Sequence, residues 1–310
     1  MRKRNKIKKI VLIFAVLLIG IVLSLYFFLS KPKEVIIEEP DSSFHELLIP
    51  TRNSSVEEID IQARAGLVSF IDSSGVVRNL FEKEELKKVP IASITKLMTA
   101  LVILEEMDLD QEVVITEQAF LKDFSRINTF YVGEKYKVRD LLYPLLMESS
   151  NAVAYALVQP SEKNFVNSMN KKAIELGMND TFFVNASGLD PETVEETANY
   201  STAQDIVILV KYLLDKPLIW EILSLPEYQL RRSDGYLKHA IINTNSLLQE
   251  IPGTLGGKTG TTNRALQCFV LVIEKNPEEY LVSVVLGSRD RFNEAREMIN
   301  WVNEAYYWEI

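Results

Sequence analysis

Ile10 to Leu29 runs for twenty residues without a charge, directly after six basic side chains (Arg2, Lys3, Arg4, Lys6, Lys8, Lys9) and no acid. At about 1.5 Å per residue this gives roughly 30 Å of apolar helix, the thickness of a bilayer core. A cleavable signal peptide has an apolar region of only about 7 to 15 residues. The exit, Phe27-Phe28-Leu29-Ser30-Lys31-Pro32, also lacks the small-x-small pair that cleavage needs. The pattern predicts an uncleaved anchor over residues 10–29. The basic flank, residues 1–9, stays in the cytoplasm by the positive-inside rule, and everything after Ser30 is exported.

Beyond the anchor the hydrophobic pattern changes period. Residues 30–58 are polar and punctuated by Pro32, Pro40 and Pro50, which reads as a spacer. "ARAGLVSFID" predicts a strand, "SSG" a turn, and Val76 to Phe81 a second strand. Apolar residues at 94, 97, 98, 101 and 102 then match one face of a helix that starts near Ser93, shortly after Pro90. From about 105 to 225 three long amphipathic segments predict helices: "VRDLLYPLLMESSNAVAYALVQ", "SEKNFVNSMNKKAIELGM" and "STAQDIVILVKYLL". "RALQCFVLVIEK" and "EYLVSVVLGS" read as strands joined by the turn "NPEE", and "RFNEAREMINWVNEAYYW" as a closing helix. Strands at both ends around a helical middle require the two ends to meet in one sheet, an α+β arrangement over residues 59–310.

Charge and cysteine content narrow the chemistry. Without the six N-terminal basic residues the chain holds 28 Lys and Arg against 43 Asp and Glu, near −15. Such a domain repels polyanions, which argues against nucleic acid as a partner. Cys268 is the only cysteine and sits in an apolar run, so no internal disulfide forms and a packed thiol is expected. One Cys and two His (His45, His239) are too few for a zinc site of the usual kind, so neither a metal nor another cofactor is expected. A Ser-His-Asp triad has only the same two histidines to draw on.

"PIASITKLMTA" places Ser93 one helical turn before Lys96. A serine hydroxyl is a weak nucleophile until a base takes its proton, and a lysine serves only when burial or a nearby cation lowers its pKa. The helix N-terminus adds a field that favours a developing oxyanion. The S-x-x-K spacing also occurs at Ser30/Lys33 and Ser168/Lys171; the first contains Pro32, and the second reads as a solvated helix face. Two further elements follow in order. Ser149 and Asn151 in "MESSNAVAYAL" can relay a proton to a leaving amine and hydrogen-bond a substrate amide. Lys258, Thr259 and Gly260 in "LGGKTGTTN" can hold a carboxylate and let a substrate strand approach the backbone. Lys258 close to Lys96 is expected to lower the base's pKa by repulsion.

These three elements resemble the signature of penicillin-binding proteins and β-lactamases. With "NASGLD" and "YSTAQDIVIL", residues 60 to 308 resemble the D-alanyl-D-alanine carboxypeptidases, the low-molecular-mass penicillin-binding proteins. The resemblance implies a β-lactamase/DD-peptidase-like fold: an antiparallel sheet flanked by helices plus a mainly helical subdomain, the active site lying between them. It implies Ser93 as acylated nucleophile, Lys96 as general base, Ser149 as proton relay, and Asn151, Lys258, Thr259 and Gly260 as substrate-binding residues. The N–H groups of Ser93 and Thr261 would form the oxyanion hole. Implied partners are peptidoglycan stem peptides ending in D-Ala-D-Ala and β-lactams as covalent inhibitors, with residues 10–29 in the lipid bilayer.

The chain departs from the pattern at Ala152, where the family commonly has Asp, and at Ala186-Ser187, where Pro-His is frequent. It ends about fifty residues after Lys258, without the β-rich C-terminal domain and C-terminal amphipathic anchor of many relatives; the N-terminal helix would serve instead. The expectation is a single-pass membrane enzyme with an extracytoplasmic catalytic domain. Alternatives on the same residues are a β-lactamase, for which Glu195 and Asn199 are candidates, a DD-endopeptidase or transpeptidase, and a catalytically silent wall-binding scaffold.

Overall fold

The computed structural model describes residues 49–121 and 130–309. The predicted cytoplasmic segment, the anchor at 10–29, His45 and the Ser30/Lys33 pair lie outside the described residues. Among the described residues no helix is long and apolar enough to cross a membrane.

The strands are β1 (Ile49–Arg52), β2 (Ala65–Ile71), β3 (Val77–Lys83), β4 (Val89–Pro90), β5 (Glu112–Val114), β6 (Lys135–Lys137), β7 (Tyr200–Ser201), β8 (Glu227–Arg231), β9 (Leu237–Ile242), β10 (Thr254–Thr262), β11 (Leu266–Asn276), β12 (Glu279–Ser288) and β13 (Tyr306–Glu309). The helices are α1 (Thr95–Glu106), α2 (Glu117–Leu121), α3 (Val138–Leu146), α4 (Asn151–Leu157), α5 (Glu162–Leu176), α6 (Ala203–Leu214), α7 (Pro217–Leu223) and α8 (Arg291–Ala305).

The chain ends do meet in one antiparallel sheet of order β10-β11-β12-β2-β3. Alternation along β2 sorts its residues between two cores. Val68 and Phe70 face a layer closed by α8 through Met298, Trp301 and Val302, whereas Leu67 and Ile71 join the larger core with α1 and α6. Every β2 side chain is buried, as expected of a strand covered on both sides. Short polar caps start several helices: Ser161 accepts from Asn164 N, Thr202 from Asp205 N and Asp290 from Asn293 N.

Four features depart from the sequence reading. Helix α1 is buried over Thr95 to Ile103 rather than along one face, because α3, α4 and α5 pack around it. The segment read as one helix from Val138 to Gln159 is two helices, with a break over Met147–Ser150 at which Ser149 adopts φ +62°. The last helix ends at Ala305, and Tyr306–Glu309 leaves it as a strand paired with Ile49–Arg52. Residues 49–58, assigned to the spacer, therefore lie within the folded unit. Arg52 stacks over Trp301 at 4.9 Å, and Trp301 Nε1 donates to Glu57 O; these two contacts of one ring supply the physical reason that the polar stretch folds back.

Candidate active site

Ser93 lies in a 3₁₀ turn, Ala92–Ile94, that runs into α1. Ala92 has φ +47°, a conformation that costs about 1–2 kcal/mol for a non-glycine residue. Thr95 Oγ1 donates to Ala92 O at 2.7 Å and ties the turn down. One turn further on, Lys96 is fully buried. Its Nζ donates to Ser93 Oγ at 2.9 Å, Asn151 Oδ1 at 2.8 Å and Ser187 O at 2.6 Å. All three acceptors are uncharged, so burial dominates and lowers the lysine to about 7.

The break between α3 and α4 supplies the next pair. Ser150, not Ser149, caps α4 by accepting from Val153 N, which leaves Ser149 Oγ free to accept from Lys258 Nζ at 2.9 Å. Lys258 is 1% exposed and also donates to Thr259 O. It is held well below the ordinary lysine value, first by burial and then by repulsion from Lys96 and Arg291. For Lys96 the lowering comes from burial, and repulsion between the two lysines adds to the burial of Lys258.

Lys258, Thr259, Gly260 and Thr261 lie on β10, the edge strand, so one side of its backbone has no strand partner. That side approaches the Ser93 turn: a Cβ on Gly260 would sit 2.9 Å from Ser93 N and 3.1 Å from Ile91 O. Only glycine permits this approach. Gly188 closes the turn from the other side, at φ +81° and with an added Cβ 2.0 Å from Ala92 O. Thr259 Oγ1 is 2.7 Å from Thr244 Oγ1, and Thr261 is exposed at the cleft rim.

The structure brings the expected residues together through contacts: Lys96 with Ser93 and Asn151, Lys258 with Ser149, and Gly260, between Thr259 and Thr261 on β10, with the Ser93 turn. A cavity of about 360 Å³ opens beside Lys96 and is lined by Asn151, Tyr155, Ser187 and Leu189. A larger one, about 630 Å³, lies by Glu134 and Arg232 and contains none of the motif residues. The decoys behave as solvated groups: Ser168 Oγ bonds Glu106, and Lys171 is an exposed ion partner of Glu175. Cys268 is buried, and its burial pushes the thiol up to about 11. Among the described residues no cluster of potential ligands could hold a metal ion.

Sequence reasoning missed Arg291, the first residue of α8. Its Nη1 donates to Gly260 O at 2.8 Å and Thr261 Oγ1 at 2.7 Å, so a guanidinium stands at the cleft end of β10. Neither Lys96, Lys258 nor Arg291 has a carboxylate within ion-pair distance among the described residues. Asn199, considered for water activation, instead donates to Thr95 Oγ1 and Asn185 O and accepts from Val184 N and Asn185 N. Glu195 is exposed.

A buried amine beside an alcohol, an edge strand and cations lacking counter-ions are the groups that serine acyl transfer on an anionic, extended substrate calls for. The same fold occurs in an evolved penicillin-binding protein homolog from Mycobacterium tuberculosis (TM-score 0.72, 29% identity, 82% of this chain and 96% of that one). It also occurs in a penicillin-binding protein from Listeria monocytogenes in the ampicillin-bound form (TM-score 0.69, 29% identity, 80% and 99%). Residues 52–290 match the D-alanyl-D-alanine carboxypeptidase family, and the chain belongs to it. The D-alanyl-D-alanine carboxypeptidase DacF of Bacillus subtilis is 32% identical over 80% of this chain and 64% of its own length. A D-alanyl-D-alanine endopeptidase of Pseudomonas aeruginosa is 35% identical over 69% of each.

Proposed function

We propose that the chain is a serine D-Ala-D-Ala carboxypeptidase that trims peptidoglycan stem peptides outside the cytoplasmic membrane, held there by residues 10–29, with residues 1–9 on the cytoplasmic side. The observation that carries this reading is the 2.9 Å contact of a fully buried, carboxylate-free Lys96 Nζ with Ser93 Oγ.

The peptide lies along the open side of β10, its terminal carboxylate on Lys258, Thr259 and Arg291, and an amide on Asn151. Ser93 Oγ attacks the carbonyl carbon of the penultimate D-Ala while its proton passes to the neutral Lys96 amine. The N–H groups of Ser93 and Thr261 receive the oxyanion. As the C–N bond breaks, the proton moves by way of Ser149 to the leaving amine, and free D-alanine departs from a Ser93 ester. Water then attacks the ester, giving its proton to Lys96, and Ser93 leaves as the alcohol. A β-lactam ring opens in the same first step, but its amine stays tethered, which makes the adduct long-lived.

Incubation of the protein with benzylpenicillin should raise the intact mass by one drug mass, and a Ser93→Ala variant should stay unmodified. Equal modification of both removes Ser93 from the mechanism. Release of free D-alanine from a pentapeptide ending in D-Ala-D-Ala measures the activity directly. A second reading, endopeptidase action on crosslinks, is favoured by the Pseudomonas relative's name, and crosslinked muropeptides compared with the pentapeptide separate the two. Rapid penicillin turnover would point to a β-lactamase, and peptide binding without D-alanine release to a silent scaffold.

A further inference from the structure

Lys96 is the base of the proposed reaction, and its ammonium is aimed by three acceptors, one of them the Ser187 carbonyl. That carbonyl belongs to a loop, so something must hold the loop. Asn185 Oδ1 gathers Ser187 N, Ser187 Oγ and Gly188 N, and shapes the turn locally. The tie to the rest of the molecule is Asn199, which is 2% exposed.

Asn199 Oδ1 accepts from Val184 N at 2.8 Å and Asn185 N at 3.2 Å, while Nδ2 donates to Asn185 O at 2.9 Å. The remaining Nδ2 hydrogen goes to Thr95 Oγ1 at 2.9 Å. That hydroxyl in turn donates to Ala92 O, which closes the positive-φ turn carrying Ser93. The backbone of Asn199 adds a fifth tie by accepting from Ile91 N at 3.2 Å. One buried amide therefore links the turn bearing the nucleophile, the residue before the base and the loop that aims the base. A second link, Thr99 Oγ1 to Ala186 O, runs parallel to it.

We propose that Asn199 is a positioning residue for the reaction: it holds the Ser187 carbonyl and the Ser93 turn in register so that Lys96 points at Ser93. The proposal rests on the Ser93 reading above. Every capacity of the Asn199 amide is used for this link, and none remains for a water or a substrate. Charged groups facing the assembly are Lys258 across the cleft and Glu162, whose Oε1 accepts from Ala186 N behind the loop.

The test follows benzylpenicillin acylation of Ser93 by mass spectrometry across pH in the full chain. Asn199→Ala should slow acylation by about 100-fold, the scale of a displacement near 1 Å. Loosening the loop also admits water to Lys96, and since burial is what lowers this amine, the acid limb of the profile should move upward from about 7. Thr95→Val should reproduce part of both effects, Thr95→Ser should restore wild-type behaviour, and the Thr95→Val and Asn199→Ala effects should be non-additive. Wild-type rates in Asn199→Ala, or a loss that follows the unfolded fraction while the acid limb stays in place, would overturn the proposal. Failure of the Ser93 reading looks different, because the wild-type chain is then not modified at Ser93 at all.

Discussion

Lys258 Nζ donates to Ser149 Oγ at 2.9 Å, 109 positions away in the chain, just as Lys96 Nζ donates to Ser93 Oγ three positions away. The cleft thus holds two lysine–serine pairs, one local and one assembled by the fold. Both lysines are buried against neutral oxygens, so an arriving carboxylate meets no competing counter-ion at either.

The local pair sets the pH dependence. Acylation needs the neutral amine, so with Lys96 lowered to about 7 the rate should rise about tenfold per pH unit below 7 and level off above it. A stopped-flow profile of acylation by a chromogenic β-lactam from pH 5 to 9 checks this. A flat profile across that range would remove Lys96 as the titrating base.

Stability should move with the same group. Lys96 is lowered from 10.5 to about 7 in the folded protein. Between those values the unfolded chain binds more protons, so the Lys96 share of stability rises with pH, by about 1.4 kcal/mol per unit. Below pH 7 its cost is fully present, and above 10.5 it vanishes. Lys96→Met should abolish activity and gain stability relative to wild type at pH 6, with the advantage shrinking toward pH 9. Denaturant melts at both pH values measure the difference.

Removing the assembled pair should affect recognition. Lys258→Met should lower kcat/KM for a carboxylate-terminated peptide by about 30- to 1000-fold, the scale of 2–4 kcal/mol for truncating a buried charged partner. An otherwise identical peptide amide should be affected far less. Arg291→Ala, which removes the cation at the end of β10 and its contacts to Gly260 O and Thr261 Oγ1, should act in the same direction. Equal losses on acid and amide substrates would place neither residue at the carboxylate.

The terminal ribbon should matter to stability and not to chemistry. A chain beginning at residue 47 should melt cooperatively and acylate normally. One beginning at residue 59 loses β1 and the Glu57 carbonyl that Trp301 Nε1 bonds, and should be destabilised by about 2–4 kcal/mol. Urea titration of the two proteins compares them.

Much of this was legible in the sequence for a simple reason. Ser93 and Lys96 are one helical turn apart, so their contact is local, and runs such as "LQCFVLVI" leave little choice but a buried strand. What was not legible depends on distant partners. Arg291 reads as an ordinary helix-start cation until β10 comes to lie beside it. The split at Met147–Ser150 is hidden because apolar residues continue the helical period on both sides, and only the tertiary fold selects φ +62° at Ser149. Asn199 reads as a polar loop residue, since its four side-chain hydrogen bonds reach back as far as Thr95. Tyr306–Glu309 has no β signal strong enough to outweigh the preceding helix without Ile49–Arg52 opposite.

Gly188 and Gly260 press on the Ala92–Ser93 turn from opposite sides, neither with room for a methyl group. The reacting centre is therefore walled by main chain, which mutation cannot reshape in small steps. What this scaffold accepts is therefore tuned farther out, at side chains such as Thr261, which is exposed, and Glu192 and Glu196, which line the cavity beside Lys96.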